Sequence, residues 1–162
     1  MKGIRLLASL IFDSGRDWGE KILDTAAKTH VPVQVSVYPP MYDNLSCCAE
    51  WAEQYPDVSL ILGQIYSLNM WPLATILANK FDNIYLEVGP TSTQAITEAE
   101  RRIGTERLIL GSMAPMTRPR AIIDHVNLLD LTESARAHGY PFTRFHRFLN
   151  RAMGKFARAR NT

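Results

Sequence analysis

Glu87 is the one carboxylate that the short apolar runs of this sequence carry to a C-terminal end, in IYLEV followed by Gly89. A carboxylate in that position can exchange a proton with a bound molecule, or it can serve in an ion pair or face solvent. Three comparable runs deliver other groups: VQVS ends in Ser36, LILGQ in Gln64, and LILGSM in Met113. A hydroxyl and a carboxamide can only hydrogen-bond here, because Ser36 has no histidine base nearby in sequence. Met113 brings a thioether, which has no proton to give and little affinity for hard metals. Glu87 is therefore the candidate catalytic residue, and Ser36, Gln64 and Met113 are candidate pocket-lining residues. The neighbours Cys47 and Cys48 cannot close a loop, and no other cysteine or nearby histidine completes a metal site with them. The histidines, His30, His125, His138 and His146, are scattered and read as structural or solvent-facing.

These groups need strand ends to hold them, and the sequence alternates strand-like and helix-like patches. Strands are expected over 4–8, 31–37, 58–62, 83–88 and 107–110, each a short apolar or alternating run. Helical spacing is expected over 17–28, with Trp18, Ile22, Leu23, Ala26 and Ala27 on one face. It recurs over 44–54, over 72–80 with Leu73, Ile76 and Leu77 inward, over 92–103, and over 118–129. Pro72 suits a first helical turn, and Gly104 reads as a stop. Five β-α units at this spacing predict parallel strands joined by right-handed crossovers, in a sheet buried on both faces. An open doubly wound sheet and part of a (β/α) barrel both fit. The turn after the first strand has no glycine cradle, and no P-loop motif occurs, so nucleotide binding lacks its usual support.

The totals agree with one soluble domain. The chain has 162 residues, 46% of them apolar and 21% charged, with no apolar run long enough to span a membrane. The N-terminal MKGIRLLASL is interrupted by Arg5 and reads as a strand rather than a signal peptide. Two adjacent cysteines suit a reduced, cytoplasmic setting. The net charge of +2 is unevenly spread. From Ser134 to Thr162 there are seven cations and no acid, leaving 11 basic against 16 acidic side chains elsewhere, a balance of −5.

The segments PVQVSV, DVSLILGQ, NIYLEVG and IGTERLILGSMAPM, followed by PRAIIDHVNLLDLT, resemble the C-terminal half of metal-dependent amidohydrolase-related proteins. The resemblance covers about residues 3 to 133, and the GTERLILGS-x-AP stretch is its most specific part. It implies a (β/α)8 barrel, related to decarboxylases and hydrolases of small carbonyl compounds. In that family pattern the fifth strand carries PVQVHV, the sixth ends ILGH and the eighth ends GSDAP. Two histidines and an aspartate there would bind a divalent metal such as zinc, and the aspartate would handle the proton of an attacking water. This chain has Ser36, Gln64 and Met113 at those positions, and the H-x-H pair of the first strand has no counterpart. The comparison thus implies a truncated five-strand relative without metal-dependent catalysis and without a cofactor. The alternative is a residual hydrolase or decarboxylase with Glu87 and Gln64 lining its pocket.

Residues 134–162 depart from the family and read as a separate basic tail following a β/α domain at 1–133. Phe145, Phe148, Leu149, Ala152, Met153 and Phe156 fall at helical spacing among arginines and a lysine. Such a helix suits closing the core against the acidic body, or binding an anionic surface or nucleic acid. A sheet with two open parallel edges also predicts a covering neighbour: a second copy, a partner or this tail. A small-molecule ligand is compatible with the strand-end residues.

Overall fold

The computed structural model describes residues 3–7, 16–37, 44–65, 70–112 and 114–127. Its elements alternate: β1 (Ile4–Leu7), α1 (Arg16–Thr29), β2 (Val33–Ser36), α2 (Asn44–Gln54), β3 (Leu60–Gly63), α3 (Met70–Lys80), β4 (Ile84–Val88) and α4 (Thr93–Ile103). A single 3-10 turn at Thr105–Arg107 then leads into β5 (Leu108–Leu110), and α5 (Pro119–Asn127) follows. The five strands form one parallel sheet in sequence order, β1-β2-β3-β4-β5, and it is not closed. Met113 and the basic tail lie outside the described residues.

Register decides which side chains share a face. Ile4 pairs with Val33, Val33 with Leu60, and Leu60 with Ile84; Leu6, Val35, Leu62 and Leu86 form the next row. In parallel strands, partners in register point to the same side. Val33, Val35, Leu60, Leu62, Ile84 and Leu86 are completely buried, in one cluster with Leu23, Ala26, Trp51, Ala74 and Ile96 from the helices. Burying each large aliphatic side chain contributes about 1.5–3 kcal/mol, so this helix-covered face dominates the stability of the fold.

The other face does not meet the expectation of burial on both sides. Its row of Arg5, Gln34, Ile61 and Tyr85 runs from exposed to half-buried, and Glu87 beyond Tyr85 is half-buried too. Charged and carboxamide side chains need water or partners, and this face leaves them near water. Two helix-face expectations are also corrected. Leu73 and Ile76 on α3 point outward, at 49% and 55% exposure, while Met70, Trp71, Ala74, Thr75 and Ala78 face inward. Ala74 and Ala78 let α3 approach β4 and α4 closely, and Met70 and Trp71 at its start, rather than Leu73 and Ile76, supply the large buried side chains. Trp18 is 58% exposed with the Lys21 ammonium over its ring, because buried Gly19 packs against the Trp51 ring instead.

Local chemistry fixes the ends that hold the site. Ser92 caps α4 by accepting a hydrogen bond from the Ala95 N–H at 3.2 Å. Gly104, at φ 75°, ends that helix in a conformation that favours glycine. Arg107 then donates to the carbonyls of Ala78, Phe81 and Ile103, tying the ends of α3 and α4 to the start of β5. Asn83 Nδ2 donates to the carbonyls of Ala52, Tyr55 and Val58 at 3.1–3.2 Å, which fixes the connection into β3. No helix among the described residues is long and apolar enough to cross a membrane.

Candidate functional site

The open face carries a cavity of about 420 Å³ over β3, β4 and β5. Ile61, Ile109 and Leu110 from the strands, and Pro119 and Ile123 from α5, give it apolar walls. Gln34, Glu87 and Ser112 supply its polar groups, and Gly111 completes the rim. Mostly apolar walls with a few converging polar groups are the ordinary make-up of a small-ligand pocket.

Glu87 is placed by two glycines. Gln34 Nε2 on β2 donates to Glu87 Oε2 on β4 at 2.8 Å, across the whole width of β3. That reach exists because the intervening position is Gly63. A Cβ on Gly63 would overlap Glu87 Oε2 and lie 2.7 Å from Gln34 Nε2. On the other side, a Cβ on Gly111 would overlap Glu87 Oε1 and lie 2.6 Å from Cγ. The carboxylate therefore lies in a slot between β3 and β5, held from one side by a carboxamide. A neutral N–H donor to a carboxylate makes a charge-assisted hydrogen bond while leaving its second oxygen available.

The other predicted residues fall around this slot. Ser36 shares the open face, is 2% exposed, and accepts a hydrogen bond from Arg5 Nε at 3.3 Å. Gln64 directly follows β3 in the left-handed region, at φ 62°, which is uncommon for a residue with a side chain. Neither Ser36 nor Gln64 is among the cavity's lining residues. His125 hydrogen-bonds the Thr91 carbonyl at 3.0 Å, and His30 is exposed at the end of α1, in keeping with structural and solvent-facing roles. Cys47 and Cys48 are free and buried on α2; burial pushes the Cys48 thiol far above its ordinary range, with Cys47 adding to the shift. Sequence reasoning missed Gln34, Gly63 and Gly111. The alternation of VQVS was the available signal for Gln34, since residues two apart share a face.

The described donors do not fit a divalent metal. Ser36 already accepts from a guanidinium, so a permanent cation stands against it. Glu87 is engaged by an amide, and no three His, Cys, Asp or Glu side chains are grouped among the described residues. A hydroxyl, a carboxamide and one carboxylate are in any case a weak donor set for zinc.

Comparison of the coordinates with solved structures returns (β/α) barrels. A TIM-barrel protein of Bordetella bronchiseptica matches with a TM-score of 0.66 at 15% identity, over 82% of this chain and 50% of that one. A Pseudomonas putida protein described as a 2-pyrone-4,6-dicarboxylic acid hydrolase matches at 0.63 and 15% identity, over 92% and 63%. The fold is that of part of a TIM barrel. An amidohydrolase 2 of Bifidobacterium longum subsp. infantis matches at 0.55 and 16% identity, over 83% of this chain and 59% of that one. The chain thus spans between half and 63% of the length of these structures. The resemblance seen in the strand segments holds at the level of fold, with five parallel strands of an unclosed barrel. No family model matches the sequence, and neither does any curated relative.

Proposed function

We propose that this chain is a truncated, amidohydrolase-like half-barrel that does not run metal-dependent catalysis. Its open face would hold a small polar molecule, with Glu87 as the hydrogen-bonding or proton-exchanging group. The observation that carries the reading is the pairing on that face: Arg5 with Ser36 and Gln34 with Glu87. The first pair sets a guanidinium against Ser36, one of the three positions where the family pattern places a metal ligand, and the second engages the carboxylate of the open face with an amide. The apolar walls at Ile61, Ile109 and Ile123 would bury the ligand's body while Glu87 orients its polar end.

A second reading is a residual hydrolase or decarboxylase, favoured by a fold neighbour described as a hydrolase. Metal analysis separates the two. Purified chain is expected to carry well under one zinc or manganese ion, and chelator should leave its thermal midpoint unchanged. One tightly held ion per chain, with a midpoint that falls on chelation, would overturn the first reading. The free, buried thiols accord with a reduced, cytoplasmic setting, and residues 134–162 would form a separate basic segment.

A further inference from the structure

Among the described residues, β1 and β5 each have one edge without a neighbour. All five strands run in the same direction. A two-fold rotation about an axis along the strands sets β1 of one copy beside β5 of a second. It also sets β1 of the second beside β5 of the first. Both new pairs are parallel, and the two sheets close on each other with no edge of the described strands left over.

The charges on the open face suit this arrangement. Arg5 is exposed on the edge strand β1, on the same face as Ser36 and Gln34. A charge pointing inward from an edge strand discourages indiscriminate strand addition, unless the incoming edge brings an acid. The opposite edge brings one: Glu87 stands on β4, one strand behind β5, on that same face. Gly111 at the end of β5 leaves the ground beside the carboxylate bare, since a Cβ there would overlap it. With β1 of a second copy beside β5 in the register that sets Arg5 opposite Ile109, the partner of Glu87 on β5, Arg5 is two strand spacings from the Glu87 backbone, about 10 Å, a gap that the two long side chains span together.

We propose that the chain forms a two-fold homodimer in which β1 of each copy pairs with β5 of the other, and Arg5 of each faces Glu87 of the other. The contact is self-complementary, as a two-fold interface requires. It stands whether or not the pocket holds a ligand.

The test is sedimentation or light scattering on the full chain, with variants. The wild type is expected at twice 18.3 kDa. Arg5→Glu and Glu87→Arg should each raise the dimer dissociation constant by about tenfold or more, because each homodimer then sets like charges together. An equal mixture of the two variants should recover the dimer, since the mixed pair restores both opposite-charge contacts. Circular dichroism confirms that each variant is folded; Arg5 is exposed, so Arg5→Glu alone decides the matter if Glu87→Arg fails to fold. A monomeric wild type overturns the proposal and leaves residues 128–162 or a foreign chain as the cover for the edges. So does a dimer that Arg5→Glu leaves intact, or two folded variants whose mixture stays monomeric.

Discussion

Gly63→Ala isolates the arrangement that holds Glu87. Gly63 does not need glycine for its backbone, since Gly104 is the positive-φ glycine among the described residues. What it supplies is space: an added methyl would fall on Glu87 Oε2 and 2.7 Å from Gln34 Nε2. Both atoms are tips of flexible side chains, so they would swing aside and part, and the sheet would remain. The loss is one hydrogen bond to a charged group, about 1.5 kcal/mol for a half-buried carboxylate. Alanine also restricts the unfolded chain, returning about 0.5 kcal/mol. The net expectation is a destabilisation of about 1 kcal/mol, or a thermal midpoint lower by about 2–4 °C. Urea unfolding followed by circular dichroism measures it, and a double-mutant cycle assigns the cause. In a Glu87→Ala background the same substitution should be neutral or stabilising by about 0.5 kcal/mol. An equal cost in both backgrounds would mean that Gly63 is required for some other reason, and the account of the slot would fail.

Other expectations follow from buried contacts. Arg107→Ala should cost about 2–3 kcal/mol, because it strips donors from the Ala78, Phe81 and Ile103 carbonyls. Arg107→Lys should recover only part of that loss, since an ammonium cannot span all three; full recovery in urea unfolding would contradict the network. Cys48 should resist thiol reagents in the native chain at pH 8, because burial raises its pKa and keeps it a thiol. Titration in denaturant should then release it, whereas fast native labelling at Cys48 would show that α2 opens. Tyr55 has its pKa raised, first by desolvation and then by donating to Asp24 Oδ1 at 3.0 Å. A raised folded value means the contribution is present below the unfolded pKa and lost as pH rises through the folded one. Tyr55→Phe should therefore flatten the alkaline end of the stability curve, and an unchanged slope would reject the assignment.

The fold was largely legible because its signals are local. Apolar runs of four or five residues bounded by Gly63, Gly89 and Gly111 marked the strands, and the stopping glycine, Gly104, marked the end of α4. The strand-end position of Glu87 was legible too, since alternation and the turn after Val88 place it. What sequence alone missed depends on which neighbour fills which space. Leu73 and Ile76 look like an inward stripe, but the close seam of α3 belongs to Ala74 and Ala78. Gln34 meets Glu87 only because Gly63, far from either in sequence, has no side chain. A residue's absence of atoms has no pattern of its own until the register of three strands is known.

The sheet's order has a bearing on how the chain acquires its shape. Every strand lies beside the strand that precedes it in sequence, so each pairing closes a loop of roughly one β-α unit. No strand has to wait for a distant segment before it finds its place. Ordering can spread along the chain one unit at a time, the growing edge serving as template for the next, and contacts of short sequence separation favour rapid collapse. Arg107 enters only when the fifth strand arrives, and it fastens carbonyls of two units already laid down. It acts as a late clasp: weakening it should hasten unfolding far more than it slows folding.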